Sequence, residues 1–397
     1  MSITVERAIE LALAHTPELP EEEAPLCEAV GRILARRITA PMDQPPFDRS
    51  PLDGYAVCAS DTMSASAEMP VRLQVVDKIC AGQVSQVAIQ PGQAVRIMTG
   101  AMLPKGADAV IRQEDTDLGE EWVKLFRGVR PGQNCCWRGE EYRAGTELFP
   151  VGTRIDAAAA AVAAGAGLTH LPVYRRARAA VISTGDEIRQ PGQPLLPGKI
   201  YDSNAIYLKT RLRQLGVEVA AALSAGDDVD GIVTALERFS GCDLILTTGG
   251  VSVGQKDLLE TAVKAFGAEV IFHGIAVKPG MPTLLAKRGD LLILGLSGNP
   301  FSAAVPFELL LRPMLAKMTR NPELEMCRRK VTAANDFAKA SPTRRFLRAF
   351  VRGNMVSMPA AQSNGQMRSM VGCNCLIDVP AGSGAVRQGD CVDVLLL

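Results

Sequence analysis

Residues 243–257 read DLILTTGGVSVGQKD. A short apolar run, Leu244 to Leu246, passes through two threonines into the adjacent glycines Gly249 and Gly250, and a third glycine follows at Gly254. A continuous apolar run bounded by glycine predicts a strand buried on both faces, the kind that builds parallel sheets. The glycines let backbone N–H groups turn inward, and a helix starting at Asp257 would add the positive end of its dipole. Together they make a cradle for an anion such as phosphate. The loop has neither the Gly-Lys-Ser/Thr of a Walker loop nor the dinucleotide pattern G-x-G-x-x-G. A plain strand-to-helix turn fits the same residues, and Asp257 with Glu260 three positions on reads as an ordinary helix cap.

Outward from this stretch the same texture repeats. ARAAVIST (177–184), VEVAAAL (217–223) and LLILGL (291–296) alternate with helical patterns. In those, Leu208, Leu212 and Leu215 share one face, and Ile232, Leu236 and Phe239 another. Strands alternating with helices predict a mostly parallel sheet covered on both sides, over 177–318. Ligands of such folds bind beyond the carboxyl ends of the strands, so the following loops are the candidates. STGDEI (183–188) offers Glu187, AGDDVD (225–230) offers Asp227 and Asp228 with Asp230 expected to cap the next helix, and VKPGMPT (277–283) offers Lys278. LSGNP (296–300) closes the series, with a helix expected from Ser302. Carboxylates at strand ends suit Mg²⁺, which takes one or two of them plus substrate phosphate. A lysine on a stiff turn suits an oxyanion. Glycines, carboxylates and a lysine at one edge therefore predict a phosphorylated small molecule bound with a divalent cation.

The flanks differ. Val5, Ile9, Ala12 and Leu13, then Leu26, Val30, Ile33 and Leu34, have helical spacing and predict two helices within 1–40. Residues 70–135 alternate β-rich runs with Gly/Pro turns, and 156–166 reads as an alanine-rich helix capped by Asp156 that should pack on one of the first two. The β segment is thus expected as an insertion into an N-terminal helical unit, and 319–397 as a small β domain.

Composition narrows the function. At 397 residues the chain exceeds one compact core. Lys+Arg and Asp+Glu are both 43, which leaves no basic excess to neutralise a nucleic acid. No apolar run reaches the roughly 18 residues that span a bilayer. The N-terminus lacks the basic start of a secretory signal. Ten scattered cysteines without a CxxC pair, and three histidines, predict reduced thiols in the cytoplasm rather than a zinc site. His15 and His170 lie away from the candidate loops, and a lone His273 reads as structural, so no Ser-His-Asp or Cys-His set is supported.

The motifs FDRSPLDGYAV (47–57), RIMTGA (96–101), STGDE, KIYDSN (199–204), GGVSVGQKD, VKPG and SGNP occur in an order that resembles the molybdopterin molybdenumtransferases (MoeA) over essentially the whole chain. The combination is specific although each piece is not. The resemblance implies a multidomain α/β architecture: a helical dimerisation domain (1–42 and 138–176), an inserted β domain (43–137), a three-layer α/β molybdopterin-binding domain (177–318) and a C-terminal β-barrel-like domain (319–397). It implies insertion of molybdenum from molybdate into adenylylated molybdopterin with release of AMP and use of Mg²⁺. It further implies a homodimer with a composite site, and as partners a molybdopterin adenylyltransferase and cofactor-accepting proteins.

By motif, Asp53 and Thr99 would face the pterin, across the dimer. Glu187, Asp227 and Asp257 would act on metal and phosphate, with Glu141 a further metal ligand. Gly249, Gly250, Ser252 and Gly254 would form the cradle, and Lys278 would bind the anion. Ser297, Gly298, Asn299 and Pro300 would shape the substrate loop, with Arg348 and Ser369 contributed by the tail. Four positions depart from the family: Glu141 replaces a usual Asp, SerGlyAsnPro a usual ProGlyAsnPro, Met281 a frequent lysine, and His273 lies near another. Alternatives are a molybdopterin-binding paralogue or scaffold like the E domain of gephyrin, and a molybdopterin adenylyltransferase. The retained acidic loops count against a scaffold, and the extra domains against an adenylyltransferase.

Overall fold

The structure is a computed structural model that describes residues 2–251, 258–337 and 339–397. The chain folds into two compact units. One comprises Met1–Glu23, Gly31–Ala35 and Pro172–Leu397, the other Ala24–Val30 and Arg36–Leu171.

In the larger unit a six-stranded sheet runs in the order Glu218–Ala225, Arg178–Thr184, Leu244–Thr248, Leu291–Leu296, Leu284–Arg288, Glu269–His273. The first four strands are parallel, Leu284–Arg288 runs against them, and Glu269–His273, antiparallel to that strand, returns to the first direction. Leu244–Thr248 and Leu291–Leu296 are buried at every position, as strands covered on both faces must be. On one face the helix Ser203–Gln214 buries Leu208 and Leu212. On the other, Val229–Arg238 and Leu258–Ala265 bury Ile232, Leu236 and Leu259.

Pro300 opens a long helical run at its first turn, where a missing N–H costs nothing. The start is two residues earlier than Ser302, because Asn299 stands at the N-cap. The run continues through a π-turn at Phe307–Leu311 into Arg312–Thr319. Glu308, buried in that turn, accepts from Arg211 Nε at 2.7 Å and Nη2 at 3.1 Å.

The second sheet of this unit pairs Val277–Lys278, Arg344–Arg352, Met355–Ser357, Arg328–Ala333, Cys391–Leu396 and Cys375–Val379 in that order. Arg344–Arg352 also pairs Cys375–Val379, which closes the C-terminal strands on themselves as a small barrel.

In the smaller unit, a five-stranded sheet orders Ala109–Arg112, Gly54–Val57, Gln93–Ile97, Val71–Ile79 and Trp122–Leu125. Asp156 caps Ala157–Gly165 by accepting from Ala159 N–H, and that helix packs on Leu26–Ala29.

The second N-terminal helix expected from Leu26 to Leu34 is only Leu26–Ala29. Ile33 and Leu34 are buried as expected, but through strand-like pairing: Tyr174 N–H donates to Ile33 O, and Leu34 bridges Val173. Among the described residues no helix is long and apolar enough to cross a membrane.

Candidate functional site

Register places the four candidate loops together. Ser183 stands opposite Thr248, Thr184 opposite Ala225, and Thr248 opposite Leu296, so the loops opening at Gly185, Gly226, Gly249 and Ser297 leave one sheet edge side by side. Gly249 has a φ of +94°, and a Cβ there would overlap the carbonyl oxygen of Thr184, so this crossing of two loops admits only glycine. Its N–H donates to Leu296 O at 3.1 Å. Gly250 follows, also at positive φ. Ser252, Gly254 and Asp257 lie outside the described residues.

Carboxylates gather at the same edge. Asp227 Oδ2 accepts from Asp186 N–H at 3.2 Å, and Glu187 folds back over Gly185. The cap of the next helix is Asp228, which accepts from Gly231 N–H at 2.7 Å, and not Asp230. Geometry selects it, since an N-cap oxygen must reach the N–H three residues on. Asp227, one residue earlier, faces the neighbouring loop instead.

Two residues of KIYDSN that no strand-end pattern singles out complete the edge. Asn204 Nδ2 donates to Thr248 Oγ1 at 2.9 Å and to Gly298 O at 2.8 Å, so one amide ties two strand-end loops together. Asp202, 2% exposed, accepts from Ala205 N–H with Oδ1 while its Oδ2 has no partner among the described residues. Their signal was the motif itself, an Asp that could cap a helix followed two residues later by an Asn. Among the described residues no three His, Cys, Asp or Glu converge as a closed metal cage. The acids present fit a cation that completes its shell with substrate phosphate, as Mg²⁺ does.

Lys278 lines a cavity of about 500 Å³ together with Phe301, Arg345 and Lys339. Arg348 is not among its walls. The Arg348 guanidinium is 1% exposed, sits 4.3 Å over the Phe301 ring, and donates to Ser363 O at 2.7 Å. Its Nη1 has no partner among the described residues, and burial pulls its pKa below the usual guanidinium value. It lines a second cavity of about 240 Å³ together with Cys373 and Tyr207. Ser369 donates to Gln366 O within a short turn. His273 Nδ1 lies 2.7 Å from Glu260 Oε2, a hydrogen-bond partner rather than a ligand set.

In the smaller unit Asp53 and Thr99 meet directly. Asp53 Oδ1 accepts from Thr99 N–H at 2.7 Å and from Thr99 Oγ1 at 2.8 Å, and these bonds, the backbone one first, hold its carboxyl below the ordinary value. Gly54 beside it belongs to a strand paired on both edges, and a Cβ would overlap the Ile111 carbonyl oxygen. Glu141 is exposed in the same unit.

A mostly parallel sheet with glycine loops, carboxylates and an amide clamp at its carboxyl edge, joined to a small barrel, is the build of a multidomain α/β enzyme. Residues 3–167 match the MoeA N-terminal region (domain I and II), 180–317 a probable molybdopterin binding domain, and 330–397 the MoeA C-terminal region (domain IV). The molybdopterin molybdenumtransferase of Bacillus subtilis is 36% identical over 404 residues, covering 100% of this chain and 94% of its own length. Molybdopterin molybdenumtransferase 2 of Mycobacterium tuberculosis is 37% identical over 374 residues, 92% of each chain. A molybdopterin biosynthesis MoeA protein of Pyrococcus horikoshii superimposes with a TM-score of 0.83 at 31% identity, over 100% of this chain and 99% of that one. The chain belongs to the molybdopterin molybdenumtransferase family and is a transferase of molybdenum-cofactor biosynthesis.

Proposed function

We propose that the chain inserts molybdenum from molybdate into the dithiolene of adenylylated molybdopterin and releases AMP. The observation that supports this most is the shared edge. Four strand-end loops in register bring glycine N–H groups, Asp227 and Glu187 to one place. With the Gly249 N–H taken by Leu296 O, the N–H of Gly250 borders the phosphate-bearing part of the substrate, and Asn204 holds the Thr248 and Gly298 loops at fixed separation. Glu187 and Asp227 would hold Mg²⁺ at that phosphate. Mg²⁺ would supply offset of the charge that builds on phosphate as AMP leaves. Lys278 offers a fixed positive charge to the oxyanion, which needs cationic surroundings throughout.

The functional molecule is proposed as a homodimer in which the Asp53–Thr99 turn of one protomer completes the site of its partner. A monomer in sedimentation at working concentration would remove that part. The adenylyltransferase and the acceptor proteins of the cofactor are its proposed protein partners.

The test is AMP release from adenylylated molybdopterin by the full chain with Mg²⁺, with and without molybdate. Release should depend on molybdate and fall by about two orders of magnitude in Asp227→Asn. Tight substrate binding with no AMP release under either condition would sink the reaction and leave a binding role.

A further inference from the structure

The cavity beside Lys278 holds more positive charge than that residue supplies. Val277–Lys278 pairs in parallel with Arg344–Arg345, which places Lys278 and Arg345 directly opposite each other. Side chains at paired positions of neighbouring strands stand on the same face. Lys278 and Arg345 both line the cavity, and Lys339 joins them from the loop that precedes the Arg344–Arg352 strand. Like charges gathered around one space repel each other, and more strongly the less water screens them. A fold that sets three cations around one space without a counter-charge favours an anion there.

Among the described residues no carboxylate pairs with any of the three cations. Asp336 is the one acid among them in the lining, and it is turned elsewhere: its Oδ1 accepts from Gln388 N–H at 2.7 Å and its Oδ2 faces Arg387 at 3.4 Å. The neighbouring Arg344 shows the contrast. Strand alternation turns it to the opposite face, where it pairs with Asp378 at 2.6 Å and with Glu6. Arg345 has no carboxylate partner among the described residues. Its guanidinium lies 5.5 Å over the Phe337 ring, and its Nε stands 3.4 Å from Ser341 Oγ. Those contacts orient the side chain and leave its charge unanswered. The Lys278 turn carries no second cation of its own, since Met281 follows its Pro-Gly.

We propose that Arg345 and Lys339, with Lys278, bind a tetrahedral oxyanion in this cavity, and that Arg345 is a specificity-determining residue for it. The inference rests on the proposed reaction for its substrate, but the oxyanion site can be tested alone. The planar fork of Arg345 suits two oxygens of a tetrahedral anion, whereas the two lysines act as point charges. The anion is either free molybdate or the phosphate of a nucleotide, which share this chemistry.

The experiment is calorimetric titration of the full chain with molybdate, inorganic phosphate and AMP at two NaCl concentrations. Arg345→Gln, Lys339→Gln, Arg345→Lys and the control Arg352→Gln, exposed at the far end of the same strand, are compared with the unaltered chain, each checked for folding by its melting curve. Arg345→Gln should weaken binding of the preferred probe about tenfold, and Lys339→Gln about threefold. Both should flatten its salt dependence. Arg345→Lys should recover part of the loss, and Arg352→Gln should change nothing. Preference for molybdate assigns the site to the metal oxyanion, and preference for AMP to the nucleotide phosphate. Equal affinity of Arg345→Gln and the unaltered chain for every probe, or no binding of any probe, overturns the proposal. Oxyanion binding through Arg345 without AMP release would overturn the proposed reaction and leave this site standing.

Discussion

In the mostly parallel sheet, Leu244–Thr248 is buried along its whole length and carries no ionisable side chain. In the C-terminal barrel, the strand Arg344–Arg352 carries four arginines in nine residues. The central strand Leu244–Thr248 keeps charge out, and the candidate acids of its sheet stand in the loops beyond the strand ends, where backbone N–H groups and solvent answer them. The barrel builds charge into the strand and must answer each guanidinium separately. Arg344 is met by Asp378, Arg348 by backbone carbonyls and the Phe301 ring, and Arg345 faces the Lys278 cavity. Charge in a loop is free to serve a ligand, whereas charge in a strand serves one only where no internal partner has claimed it.

The sharpest way to break this comparison is to remove the barrel's internal partner. Asp378 is 6% exposed and accepts from Arg344 and Arg328. Asp378→Asn should cost about 3–5 kcal/mol in urea unfolding, because Arg328 loses its counter-charge and Arg344 keeps only Glu6. Burial alone would raise the Asp378 carboxyl, but the bonds from Arg344 and Arg328 outweigh it and hold the group below its usual value. A depressed carboxyl contributes fully above the ordinary value of about 4, and that contribution is lost as pH falls toward the folded value. The unaltered chain should therefore lose stability below about pH 4 more steeply than Asp378→Asn. Parallel acid limbs would refute the assignment.

The corresponding strike on the first sheet is Gly249→Ala. It forces a Cβ against the Thr184 carbonyl at positive φ, and should cost about 2–3 kcal/mol with no change in pH dependence. A larger loss than in Asp378→Asn would reverse the contrast. The mildest is Asn204→Ala, which frees two loops at the cost of two hydrogen bonds. About 1 kcal/mol of stability should go. KM for the pterin substrate should rise by several-fold, and an unchanged KM would show that the clamp does not position the site.

The parallel sheet was legible because its strands are defined locally, by apolar runs that end in glycine. So were the Asp156 cap and the edge on which Glu187, Asp227, Gly249 and Ser297 converge. What escaped reading depends on pairing between distant segments. Ile33 and Leu34 have helical spacing, yet residues 172–174 claim them as strand partners. The choice between Asp228 and Asp230 as cap turned on which carboxylate could reach an N–H three residues on, where local sequence offers both. Arg345 beside Lys278 is a pairing across 67 positions of chain and follows from no motif. Asn204 lay inside a recognised motif, but its clamp is visible only once the Thr248 and Ser297 loops are adjacent.

The close approach at Gly54 has a genetic consequence. Every residue reachable from a glycine codon by one base change carries at least a Cβ, and here that atom would overlap the Ile111 carbonyl in the middle of a paired strand. The neighbouring Asp53 has conservative alternatives one base away, among them glutamate and asparagine. In a saturation library selected for molybdenum-cofactor synthesis, position 54 should therefore be a blank column, while position 53 should grade by chemistry. The boundary between fold and reaction would then run between two adjacent codons.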